Sequence, residues 1–172
     1  MSNGSLIKLV DTTLSSAVSS VSLGASDWDT SFDVYLVTTS GVTVSASNTV
    51  DLQFLTSGSA DTSSNYDSQA KNLYSGGSFS NNYSTNTSDI PFGNTITNTS
   101  NYSSSAEIYL FNFNEASEYS YCTYSETAWN STSVGRQGSA VLTVAQANNG
   151  VLIKAGTGNL TAGRFQVFGI VK

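Results

Sequence analysis

Four glutamates, Glu107, Glu115, Glu118 and Glu126, flank one tyrosine-rich stretch and are the carboxylates best placed to do chemistry. A glycosidase needs two such groups facing each other across a sugar; the sequence does not show whether any two of these four do, and four glutamates around a strand are unremarkable. Histidine is absent from the 172 residues. Its absence removes Ser-His-Asp and Cys-His nucleophiles, most zinc sites and the commonest general base near neutral pH. Cys122, the single cysteine, has no lysine or arginine near it in sequence and reads as a buried, inert thiol. Ser68 and Lys71 match S-x-x-K, a motif that needs a helix to bring both side chains to one face, and the surrounding NYDSQAKNLYSGG is a poor helix. The expectation is a protein without catalytic residues.

Two weaker patterns concern ligands. Asp61, Ser63, Asn65 and Asp67 place oxygens at alternate positions, like the start of a calcium loop, so Asp61, Asn65 and Asp67 are candidate metal ligands. Tyr66 and Asn72 stand where such a loop requires glycine and a bidentate glutamate, and neither a metal nor another cofactor is expected. Asp27, Asp29 and Asp33 read as a turn with Asx caps. Tyr119, Tyr121, Tyr124 and Trp129 suit either a sugar platform or aromatic packing in a core or subunit interface.

The elements that would position these residues are strands. Charged residues make up only 10% of the chain and the net charge is −6, so hydroxyls and amides keep it soluble, and a basic stripe for nucleic acid is missing. No stretch approaches the roughly 20 apolar residues of a membrane helix. The opening SNGSLIKLV holds too short an apolar run for a signal peptide. The expectation is therefore synthesis in a cytoplasm, with neither nucleic acid nor membrane as partner. Residues 149–172 read as two strands and a turn, with Phe165 and Val167 on one face of the last strand and Phe168 and Ile170 on the other. That strand is expected to lie centrally. Further strands are expected at residues 6–10, 15–22, 33–38, 50–55, 106–113, 117–124 and 140–147, with a turn at Ser40-Gly41 and a connection over 125–138. Residues 57–102, rich in Ser, Thr, Asn and Tyr, show no clear period and read as a long polar excursion with weak strands near Leu73 and Ile96. Together these patterns predict a single all-β domain over residues 1–172, a jelly-roll-like antiparallel β-sandwich of about eight to ten strands. The tyrosines of the excursion, Tyr66, Tyr74, Tyr83 and Tyr102, join Tyr119, Tyr121 and Trp129 as interface candidates.

Four stretches resemble one family: residues 19–37 (SSVSLGASDWDTSFDVYLV), 52–69 (LQFLTSGSADTSSNYDSQ), 106–113 (AEIYLFNF) and 160–170 (LTAGRFQVFGI). In that order they are similar to small virion proteins of tailed phages of marine bacteria and cyanobacteria. Val167-Phe168-Gly169-Ile170 stands where Leu-Tyr-Gly-Ile is usual, and Leu55 where asparagine is usual. The resemblance implies a jelly-roll sandwich on the outside of a particle, most simply a non-enzymatic capsid decoration protein. It also implies a homo-oligomer, with a trimer favoured, and the major capsid protein or another virion protein as partner. Alternatives are a tail-fibre or receptor-binding module that recognises a surface glycan and, further off, a depolymerase-like glycosidase.

Overall fold

The structure is a computed structural model that describes residues 5–171; Met1–Gly4 and Lys172, which belong to the expected domain and its two end stretches, lie outside the described residues. It is an antiparallel β-sandwich. The strands are β1 (Leu6–Thr13), β2 (Ser20–Gly24), β3 (Val34–Val44), β4 (Val50–Thr56), β5 (Ser59–Ala60), β6 (Tyr66–Tyr74) and β7 (Phe79–Thr87), followed by β8 (Ile90–Pro91), β9 (Ser104–Phe111), β10 (Ser120–Trp129), β11 (Ser133–Leu142), β12 (Gly150–Ala155) and β13 (Leu160–Ile170). Eight form one sheet in the order β1-β13-β3-β9-β10-β11-β6-β7; β2-β12-β4-β5 form the other, with β8 paired to β4.

Period-two alternation builds the core. β10 reads buried, exposed, buried along its whole length, with Ser120, Cys122, Tyr124, Glu126 and Ala128 inward. From the large sheet, Tyr35, Val37, Ile108, Leu110, Phe165 and Val167 meet Leu23, Leu52, Phe54, Val151 and Ile153 from the small one. One end is sealed by rings: Trp28 lies 4.3 Å from Tyr35, and Phe113 lies 4.9 Å from Phe54 between centroids. Asn114 holds this corner, accepting from Trp28 Nε1 at 2.9 Å and donating to Phe32 O at 3.0 Å. In the same turn Asp29 Oδ1 accepts from Ser31 N at 2.9 Å, the expected Asx cap. Hydrogen bonds from the Ser31 hydroxyl and backbone N–H hold the Asp29 carboxyl below its ordinary range.

The last strand is paired on both sides but lies one place from the sheet edge: β13 pairs with β1 and with β3, with Phe165 and Val167 fully buried. Phe168 and Ile170 on its other face are only half-buried, so it is not covered on both faces as its apolar end suggests. Other expectations are corrected. Residues 149–172 do not form a hairpin, because β12 belongs to the small sheet and β13 to the large one, and the residues around Gly156–Asn159 carry the chain across. Ser40-Gly41 is no turn. β3 runs through it with a bulge between Thr39 and Val42, made possible by Gly41 at φ 61°. Residues 125–138 are not a connection, since β10 extends to Trp129 and pairs along its length with β11.

The largest correction concerns residues 57–102. They contain β6 and β7, a hairpin of two nine-residue strands that extends the large sheet beyond β11. Their period is hidden for a physical reason. β6 turns Ser68 and Asn72 inward, and β7, the edge strand, is exposed or half-buried along its whole length, so neither of its faces has to be apolar.

Candidate functional site

The uncovered face of the eight-stranded sheet is the candidate site. Register assembles it row by row. One row crosses all eight strands: Lys8, Phe168, Leu36, Tyr109, Thr123, Ser139, Gln69 and Tyr83. On one side of it, Phe111, Tyr121, Val141 and Asp67 are in register. On the other run Glu107, Ser125, Gln137, Lys71 and Asn81. Tyr83 is 80% exposed and Tyr121 44%, so their rings stand out of the sheet on either side of a hydroxyl- and amide-bearing floor.

Between those rings lies a cavity of about 550 Å³, with Gln69, Thr123, Ser139 and Val141 in its lining. A second hollow of about 560 Å³ shares Gln69, Tyr83 and Ser139 with the first. A third of about 210 Å³ shares Gln137 and Gly138 with the second, and a fourth of about 380 Å³ shares Glu107 and Ser125 with the third. The hollows run into one another as a trough across β7, β6, β11, β10, β9 and β3. Charge within it is sparse. Asp67 Oδ1 accepts from Asn86 N at 2.8 Å, and Lys71 Nζ lies 5.1 Å from the centre of the Phe79 ring.

The interface candidates divide between this face and the interior. Tyr83, Tyr121 and Trp129 point outward, and Tyr119 is exposed just before β10. Tyr121 and Trp129 sit at opposite ends of β10, roughly 27 Å apart at strand rise, so they form no single platform. Tyr124 faces inward, by alternation. Tyr66 is corrected outright. It is fully buried, edge-on to Phe54 at 5.6 Å, and its hydroxyl accepts from Phe54 N and donates to Asp61 O, so it is a core residue and no interface. Burial raises its phenol above the ordinary value. Tyr74 is half-buried with its hydroxyl against Ser80 Oγ, and Tyr102 packs its ring on the core. Sequence reasoning missed Tyr109, Phe111 and Gln69. The alternation of AEIYLFNF was the available signal for the first two, because Ile108 and Leu110 inward put Tyr109 and Phe111 outward.

The chemical candidates are placed as follows. Asp61 accepts from Ser63 N at 2.9 Å and from Gln146 Nε2 at 2.9 Å, while Asn65 donates to Ser63 Oγ. Asp67, on β6, turns to Asn86, so the three weak calcium candidates share no common centre. Among the described residues no group of three His, Cys, Asp or Glu side chains is gathered to hold a metal ion. Ser68 faces inward and Lys71 outward, as a strand requires three residues apart. Burial pushes the Cys122 thiol up to about 12, which leaves it inert as expected.

The glutamates are dispersed. Glu107 faces the trough, Glu115 and Glu118 lie in the exposed turn before β10, and Glu126 faces the interior. Glu126 shares an inward row with Arg136 and Asn72 on the neighbouring strands. Asn94 donates to Glu126 at 3.4 Å and Arg136 to Gly93 O at 3.1 Å. Burial raises the Glu126 carboxyl to about 7, against the pull of Asn94 and Arg136. On the outer side of the small sheet, Asp51 is pushed to about 6, chiefly by burial, near the Lys154–Asp89 pair.

No protein-family model matches the chain, and no curated protein matches it in sequence. What the face offers chemically is contact: projecting rings, a floor of carbon surface set with hydroxyls and amides, few charges.

Proposed function

We propose that this chain is a non-enzymatic structural protein of a tailed-phage virion, set on the outside of the particle as a capsid decoration protein. The observation that carries the reading is the eight-strand outer face, whose exposed side chains are chiefly hydroxyls, amides and aromatic rings. Such a face stays soluble without ions and suits the outside of a particle, where its rings and hydroxyls stay open to what the particle meets. The four-stretch resemblance to virion proteins supports the same role, with a homo-oligomer, a trimer favoured, and the major capsid protein as partners. Glu107 and Glu126 lie on opposite faces of the sheet, an arrangement that suits a carboxylate pair poorly for glycoside cleavage.

The test is stoichiometry. Quantitative mass spectrometry of purified virions should find this chain at the order of hundreds of copies per particle, as a capsid lattice demands. A few copies, at the level of a tail protein, would move it to the tail, and absence from particles would end the virion reading.

A further inference from the structure

We infer that the trough on the eight-stranded sheet is a binding site for a neutral glycan, held between Tyr83 and Tyr121. The inference deepens the reading of an outer-surface protein and rests on it for its biological setting, though the site itself stands on geometry. Three features point to a saccharide. The first is the rings. Tyr83 and Tyr121 stand on β7 and β10, three strand spacings or roughly 14 Å apart, so a short run of sugar units fits between and against them. Aromatic faces pack on the apolar faces of pyranose rings, while the phenol hydroxyls stay wet.

The second is the floor. Gln69, Thr123, Ser139 and Gln137 present amides and hydroxyls, which donate and accept and so match sugar hydroxyls that do both. The rest of the surface between the rings is mostly carbon, which packs on the apolar faces of sugar rings as the tyrosines do. The third is charge. Asp67 and Glu107 stand towards the two ends of the trough, and Lys71 is engaged on Phe79. With a net charge of −6 behind them, acidic sugars and phosphate are repelled. The ligand class is therefore uncharged hexose or N-acetylhexosamine chains. The length of the connected hollows suits a chain more than a monosaccharide.

The experiment uses the full chain, free in solution, against an array of neutral hexose and N-acetylhexosamine oligosaccharides, with sialylated and sulfated oligosaccharides as controls. Hits are titrated by calorimetry. Neutral oligosaccharides should bind, and acidic ones should not. Tyr83→Ala and Tyr121→Ala should each weaken binding about tenfold or more. Both residues are exposed, so the unfolding midpoint should stay at the parent value. Gln69→Ala serves as a third variant that leaves both rings in place. Binding of no neutral oligosaccharide, a preference for acidic ones, or undiminished binding by the Tyr83→Ala/Tyr121→Ala double variant would overturn the site. So would a dimer of the parent in solution that the double variant abolishes, since the face would then be covered by a second copy. Particle stoichiometry is read separately. Lost glycan binding at capsid-level copy number sinks only the site, and glycan binding by a chain absent from virions sinks only the virion role.

Discussion

Glu126 is 3% exposed and titrates near 7 instead of its ordinary 4.5, because burial disfavours the carboxylate more than Arg136 and Asn94 favour it. Between these two values the folded chain keeps a proton that the unfolded chain has lost. Stability therefore falls as pH rises from about 4.5 to about 7 and levels off above. Glu126→Gln keeps a carbonyl oxygen for Asn94 and cannot ionise. It should be more stable than the parent at pH 8 by about 1–3 kcal/mol, and equal to it near pH 4. Asp51, raised to about 6, keeps a residual slope at lower pH in both proteins. Urea melts from pH 4 to pH 8 check this, and a variant less stable than the parent at pH 8 would show that Glu126 is needed as an anion beside Arg136.

A second residue concerns the end of the last strand. The ring of Phe32 lies flat enough on Gly169 that a Cβ there would overlap it. Gly169→Ala should cost about 1–3 kcal/mol by overpacking. In a double-mutant cycle, adding Phe32→Ala should recover part of that loss, since the three atoms nearest the added Cβ all belong to Phe32. Additive losses in denaturant melts would place the strain elsewhere. The glycine in Val167-Phe168-Gly169-Ile170 was visible in the sequence, but the distant Phe32 that requires it was not.

At the scale of elements, legibility followed apolar alternation. β4, β9 and β13 declare themselves because Leu52, Phe54, Ile108, Leu110, Phe165 and Val167 must reach the core. β11 and the second half of β10 do not, because they turn Glu126 and Arg136 inward and Ser125, Thr127 and Gln137 outward. The Tyr83–Tyr121 site was legible only as residue types. Its assembly depends on pairing β6 with β11, a register that no local pattern announces. The same hairpin yields a prediction. β6 is paired on both sides and β7 on one, as the edge of the sheet. Amide exchange in the free chain should protect β6 to near the global stability, while amides of β7 that point away from β6 exchange orders of magnitude faster. Uniform rapid exchange over residues 66–87 would mean that the hairpin is loose, and protection of the outer β7 amides would mean that a partner strand covers this edge.

At the scale of the molecule, the chain crosses repeatedly between the two sheets. β1 and β3 lie in the large sheet with β2 between them in the small one, and β12 returns to the small sheet before β13 closes the large one. No contiguous half of the chain owns a core. The last strand inserts between β1 and β3, and Arg164 clamps Asp11 through two hydrogen bonds of 2.9 and 2.7 Å while Lys8 reaches the same carboxylate at 2.9 Å. These cations hold the Asp11 carboxyl well below its ordinary range. The pair is exposed, so its contribution is small and screened by salt. The burial of Phe165 and Val167 decides the outcome. Removing residues 164–172 would strip β1 of the one strand it pairs with among the described residues, open the edge of β3 and uncover the rings and aliphatics beneath. Phe165→Ala alone should cost about 3–5 kcal/mol, a large share of the roughly 5–15 kcal/mol that holds a domain together. The truncated chain should therefore show no cooperative thermal transition by circular dichroism and should expose apolar surface to a hydrophobic dye. A sharp melt in that truncation would mean that the seven remaining strands of the large sheet and the small sheet fold without β13, and the chain would no longer be one cooperative unit.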